Sequence, residues 1–121
     1  MKSVLIVDDS EQIRERLVAL LAESDEIRIV GQVGNGREVL DAVMRLRPET
    51  VILDIRLPDQ SGIEVLKEIK THYPEVMVII LTNFDNPQYR KQCQQLSADH
   101  FLNKTLEFEK IVDTIMSDIG H

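Results

Sequence analysis

"VILDIRLP", residues 51–58, carries a strand-like apolar stretch, Thr50 to Leu53, straight into the carboxylate of Asp54. A bare charge beside a buried strand is very costly, so Asp54 must be solvated, paired or bound to a cation. Two further runs share the character of this one: "SVLIV" at 3–7 and "VMVIIL" at 76–81. Continuous, β-branched runs of this length suit strands covered on both faces. By contrast "IRIVGQV" (27–33) mixes Arg28 and Gln32 with apolar residues, and "HFL" (100–102) is short, so both read as edge strands.

Helical patterns fill the gaps between these strands. Ile13, Leu17, Leu20 and Leu21 share one face, as do Ile63, Leu66 and Ile69, and Phe108, Ile111, Val112, Ile115 and Ile119 form the last stripe. Asn35 with Glu38 and Ser61 with Glu64 fit the capping box, and Ser10 and Thr105 can serve as N-caps. The alternation predicts an α/β fold, a (βα)5 doubly wound parallel sheet. Strands 1, 3 and 4 inside and 2 and 5 outside are satisfied by the order 2-1-3-4-5, the flavodoxin-like arrangement.

Composition narrows the function before any motif is weighed. The 121 residues are 43% apolar, enough for one domain with its own core. No run approaches the roughly 20 apolar residues of a membrane span, and no signal peptide precedes the first strand, so no membrane partner is expected and the cytoplasm is the expected location. The lone Cys93 excludes an internal disulfide and reads as a small core residue. Fourteen Lys and Arg against 21 Asp and Glu give a net charge of −7, which would repel a phosphate backbone, so no direct nucleic-acid partner is expected.

In a sheet of this order the ligand site forms beyond the carboxyl ends of the strands, where the chain reverses between strands 1 and 3. Strand 1 ends in Asp8 and Asp9, strand 3 in Asp54, strand 4 in Thr82, and Lys104 closely follows strand 5. Three carboxylates at one spot repel, each pair by roughly 3 kcal/mol at about 5 Å and an effective dielectric near 20. A divalent cation relieves that repulsion, and an all-oxygen cluster without His or Cys suits a hard ion such as Mg²⁺. Mg²⁺ favours a phosphoryl group as a further ligand, and an ionised aspartate can attack one, giving an aspartyl-phosphate. Lys104 supplies a second cation, and the Thr82 hydroxyl can donate to a phosphoryl oxygen.

Asp8-Asp9, Asp54, Thr82, Phe101 and Lys104 together resemble the signature of bacterial two-component response-regulator receiver domains of the single-domain, chemotaxis-regulator type. Pro58 and Gly62 after Asp54, and the 104 − 82 = 22 residues from hydroxyl to lysine, fit the same pattern. The resemblance covers essentially the whole chain and implies one receiver domain over residues 1–121. It implies that Asp54 is the phosphoacceptor in a phosphorelay, charged by a histidine kinase, a histidine phosphotransfer protein or a small phosphodonor. Asp9, Asp54 and the backbone carbonyl of Arg56 would hold Mg²⁺, with Mn²⁺ the other candidate, and Asp8 would act through water. Thr82 and Phe101 would switch, altering the surface of the fourth helix (86–97), fifth strand and fifth helix for a downstream protein target. The protein would then be a signalling protein rather than an enzyme, although it catalyses its own phosphorylation and dephosphorylation.

Several residues depart from the family's usual pattern: Asn83 replaces a small residue, and Arg56 and Phe84 stand where the family tunes hydrolysis. Phe84 as a shield and Arg56 as a phosphoryl partner predict slow self-dephosphorylation. Thr105 replaces the usual proline after Lys104, which leaves the isomer of that bond open.

Singly, each residue has a plainer reading. Asp8 and Asp9 suit the start of a helix, Thr82 the end of a strand, Lys104 the surface and Phe101 the core. Their convergence on one edge favours the chemical reading. Two alternatives remain: a pseudo-receiver that binds partners without phosphate, and a receiver excised from a longer DNA-binding regulator.

Overall fold

Apolar, β-branched runs become interior strands in the structure, a computed structural model that describes residues 1–117. Strands β1 (Lys2–Val7), β2 (Ile27–Val33), β3 (Thr50–Leu53), β4 (Met77–Thr82) and β5 (His100–Asn103) are all parallel, in the order β2-β1-β3-β4-β5. Every residue of β3 and β4 is buried, whereas β2 exposes Arg28 and Gln32. The observed order is the expected one, with the strands read as edges at the two edges.

Among the described residues five helices cover the sheet: α1 (Glu11–Leu21), α2 (Val39–Leu46), α3 (Gly62–His72), α4 (Pro87–Gln95) and α5 (Ile111–Met116), the last preceded by a 3₁₀ turn at Phe108–Lys110. Side chains alternate along a strand, so each strand feeds two cores. Leu5, Val7, Leu53 and Ile80 join Val43, Leu66, Ile69 and Cys93 from α2, α3 and α4. Val4, Ile6, Ile52 and Ile79 join Leu17, Leu21, Ile111 and Ile115 from α1 and α5. Among the described residues no helix is long and apolar enough to cross a membrane.

Helix starts follow the sequence in part. Ser10 caps α1 by accepting from Ile13 N at 3.2 Å, and Ser61 caps α3 by accepting from Ile63 N at 3.1 Å. Asn35 and Glu38 do exchange hydrogen bonds, yet regular α2 begins only at Val39, because Asp59 from the β3–α3 loop captures the amides of Gly36 and Arg37 at 2.7 and 2.9 Å. Thr105 caps no helix. The Asn103 side chain accepts from the Thr105 and Leu106 amides, both at 2.9 Å, and the Thr105 hydroxyl donates to Asn83 Oδ1 at 2.8 Å. Among the described residues no peptide bond is cis, so Lys104–Thr105 is trans. Ile119 of the predicted last stripe lies outside the described residues.

In α4 only Cys93 is buried, and burial pushes its thiol up to about 11. A helix with so thin an apolar stripe belongs to the least stable part of a domain.

Candidate functional site

Register places the acids. Val7 pairs with Leu53, so the residues that follow, Asp8 and Asp54, leave the sheet side by side at its carboxyl edge. Their own amides still belong to the sheet, Asp8 N donating to Val33 O and Asp54 N to Val7 O, each at 3.1 Å. Two strands away, Thr82 pairs with Asn103, and the next residue is fixed by Lys104 N donating to Thr82 O at 2.9 Å. The lysine side chain then runs back along the edge to the acids. Its Nζ stands 2.7 Å from Asp8 Oδ2 and 2.7 Å from Asp54 Oδ2.

This bridge is buried. Asp8, Asp54 and Lys104 are only 2%, 5% and 9% exposed, which makes their pairing obligatory rather than decorative. The remaining oxygens accept from backbone, Asp8 Oδ1 from Ser10 N at 2.9 Å and Asp54 Oδ1 from Arg56 N at 3.4 Å. Burial pushes the Asp8 carboxyl above its ordinary 3.8, against the pull of hydrogen bonds from Lys104 and Ser10. Burial works to lower Lys104, but hydrogen bonds to Asp54 and Asp8 more than offset it, leaving the ammonium above its ordinary 10.5.

Asp9 is exposed and completes the cluster. One carboxylate oxygen each from Asp8, Asp9 and Asp54 lie within 4.8 Å of one another. Three acids face one ammonium, so the site keeps an excess of negative charge, and its donors are all oxygen. That donor set fits a hard divalent cation entering from the Asp9 side.

The other predicted residues surround this centre. Thr82 is fully buried, and its hydroxyl accepts from Phe84 N at 3.2 Å. Asn83 is exposed and turned to Thr105. Arg56 is exposed and stacks on Phe84, with Cζ 4.2 Å from the ring centroid. The two residues read as separate shield and partner are therefore one unit, because a guanidinium gains from lying on an aromatic face. Phe101 is half-buried against the α2–α4 core, and Arg90 covers its ring.

Sequence reasoning missed several residues here. Arg14 donates to Asp8 O at 2.7 Å, and Asp85, Arg90, Asn103 and Glu107 form a polar group beside Phe101. Only Arg14, on the first turn of the helix that leaves Asp8-Asp9, carried a signal in its position. The others meet across loops that no periodicity describes.

The raised Asp8 carboxyl has a measurable consequence. Its folded value lies above 3.8, so between the two values the native state binds more protons than the unfolded chain, and this group's contribution grows as pH falls through that window. In urea denaturation with chelator present, wild-type stability relative to Asp8→Asn is therefore expected to rise as pH is lowered towards 4. A difference that is flat or falls would contradict the burial argument.

Comparison with known proteins bears on the chain as a whole. A family model described as the response regulator receiver domain matches residues 4–116. An uncharacterized response regulatory protein of Vibrio cholerae is 38% identical over 117 residues, covering 95% of this chain and 47% of that protein. The DNA-binding transcriptional activator DevR/DosR of Mycobacterium tuberculosis is 30% identical over 120 residues, covering 99% of this chain and 55% of its own length. The chain thus spans about half the length of these two relatives. A crystal structure of a DNA-binding response regulator of the LuxR family from Staphylococcus aureus superposes with a TM-score of 0.89 at 30% identity, covering 97% of this chain and 98% of that one.

These relatives correct one expectation. Nucleic acid was excluded as a partner on a net charge of −7, yet DevR/DosR and the Staphylococcus aureus protein are DNA-binding regulators. A charge averaged over 121 residues describes the field of this stretch alone and does not support the exclusion.

Proposed function

The chain belongs to the response regulator receiver domain family, and from that premise we propose that it is a cytoplasmic receiver of two-component or phosphorelay signalling, with Asp54 as its phosphoacceptor. The observation that carries this reading is the buried Lys104 ammonium held 2.7 Å from both Asp8 and Asp54, beside the open carboxylate of Asp9. In the proposed step an Asp54 carboxylate oxygen forms a bond to phosphorus as the bond from phosphorus to a histidine nitrogen breaks, the nitrogen keeping the electron pair. Asp9, Asp54 and the Arg56 carbonyl would hold Mg²⁺ or Mn²⁺, with Asp8 acting through water. Such an ion supplies positive charge against the phosphoryl oxygens.

The chain's own residues do the rest. Lys104 turns from the carboxylates to a phosphoryl oxygen, and the Thr82 hydroxyl, now accepting from Phe84 N, donates to another. Phe101 turns inward, and the surface of α4, β5 and α5 changes with it. The stacked Arg56 and Phe84 make water's approach slow.

Incubation with acetyl phosphate and Mg²⁺ tests this. The expected product carries one hydroxylamine-labile phosphoryl group, and both chelator and Asp54→Asn abolish it. A wild-type chain that stays unlabelled, or an Asp54→Asn chain that is labelled, would overturn the proposal in favour of a phosphate-independent binding module. The relatives favour a second reading of the output, in which the switched surface governs a DNA-binding regulator. A pull-down with and without a beryllofluoride phosphoryl mimic would identify such a partner.

A further inference from the structure

Arg90 forms an arrangement that the proposed chemistry does not use. From α4 its Nε donates to Asp85 Oδ1 and its Nη2 to Asp85 Oδ2 at 3.0 Å, and Nη2 stands 3.6 Å from Glu107 Oε1. The same guanidinium covers the Phe101 ring, with Cζ 4.6 Å from the centroid. Asn103, the last residue of β5, joins the group: its Nδ2 donates to Asp85 Oδ2 at 3.2 Å and its N to Glu107 Oε1 at 2.9 Å.

One planar cation thereby binds the residue before the α4 cap, the turn into α5 and an aromatic face of β5. Single exposed ion pairs contribute little, but a bidentate arginine inside a shared network is the exception. The Arg90 hydrogen bonds hold the Asp85 carboxyl below its ordinary range, and Asp85 in turn holds the guanidinium above its own. Since α4 buries only Cys93, with Tyr89 and Leu96 partly packed on the same core, this group adds polar ties from the helix start to β5 and to Glu107.

We propose that Arg90 is a latch, fastening α4 to β5 across the Phe101 ring in the unphosphorylated protein and releasing when Asp54 is phosphorylated. The inference rests on the acceptor role of Asp54, and its argument is connectivity. Asp85 follows Thr82 by three residues, and Asn103 immediately precedes Lys104. In the present state the Thr82 hydroxyl is engaged with Phe84 N, and the Lys104 ammonium with both acids. A phosphoryl group that draws off either one displaces the segments that carry Asp85 and Asn103. The latch tolerates little of this, because the fork to Asp85 and the stack on Phe101 must be satisfied by one rigid plane. By linkage, a contact made only in the resting state opposes binding of any phosphoryl mimic, and its removal strengthens that binding.

The experiment titrates beryllofluoride with Mg²⁺ into the wild-type chain, Arg90→Met and Arg90→Lys, and follows amide hydrogen exchange of α4 without the mimic. Arg90→Met is expected to raise the apparent affinity about fivefold or more and to accelerate α4 exchange. Arg90→Lys is expected to follow Arg90→Met, because lysine keeps the charge but neither forks nor stacks. Unchanged or weaker binding by Arg90→Met, or lowered thermal stability without tighter binding, overturns the latch. If wild type binds no beryllofluoride, the acceptor reading fails, and the coupling with it. If wild type binds it and Arg90→Met matches wild type, only the latch fails.

Discussion

Lys104→Met is expected to lower the unfolding free energy by about 3–5 kcal/mol, because it leaves two buried carboxylates facing each other without their shared cation. The side chains of Lys104, Asp8 and Asp54 are 10%, 3% and 6% exposed, so solvent screens little of this loss. The variant also changes the pH profile. With the ammonium gone, only the hydrogen bond from Ser10 N still opposes the burial that already raises Asp8 above 3.8. A carboxyl raised in the folded state binds protons there before it does in the unfolded chain, so the variant should regain stability as pH falls from about 7 towards 4. In the wild type the lysine acts at the other end of the scale. Its contribution is complete below 10.5 and is lost as pH rises through the higher folded value.

Added Mg²⁺ should stabilise the variant more than the wild type, since a cation that binds only the folded state adds stability by mass action. Urea denaturation with chelator and with Mg²⁺ measures both effects. A variant as stable as wild type, or one indifferent to pH, would show that the bridge carries no such energy.

Gly62→Ala is expected to cost about 3 kcal/mol and to displace the site. A Cβ at position 62 would lie 2.0 Å from the Asp54 carbonyl oxygen and 2.8 Å from Ile55 Cα, both backbone atoms that cannot swing aside. The loop folds back on the end of β3 here, Gly62 N donating to Ile55 O, so relief requires Asp54 to move. Mg²⁺ should therefore stabilise Gly62→Ala less than wild type. Gly36→Ala is the control: the three atoms nearest its Cβ all belong to the Gln60 side chain, which can turn away at small cost. Comparable losses in the two variants would refute the steric argument.

Most of the fold and the centre of the site were legible in the sequence, for physical reasons that can be named. Uninterrupted Val-Ile-Leu runs mark strands buried on both faces, and the residues that end them, Asp8, Asp54 and Thr82, share an edge by parallel register. What was illegible depends on competition between polar groups for the same amides. Thr105 was a sound N-cap candidate, but its hydroxyl donates to Asn83, and Asn103 holds this turn instead, its side chain accepting from the Thr105 and Leu106 amides. Asn35 and Glu38 paired as read, and Asp59 then decided where α2 starts. Lys104 was read as a cation awaiting a phosphoryl group, whereas it already serves Asp8 and Asp54. The nucleic-acid argument failed because a summed charge has no location.

The single cysteine gives the chain a built-in stopwatch. Cys93 is wholly enclosed under α4, and burial keeps its thiol protonated. A thiol reagent needs both access and thiolate, so it attacks only when that helix lifts. The rate of alkylation therefore counts excursions of α4 directly, in a chain with no other sulfhydryl to confuse the record.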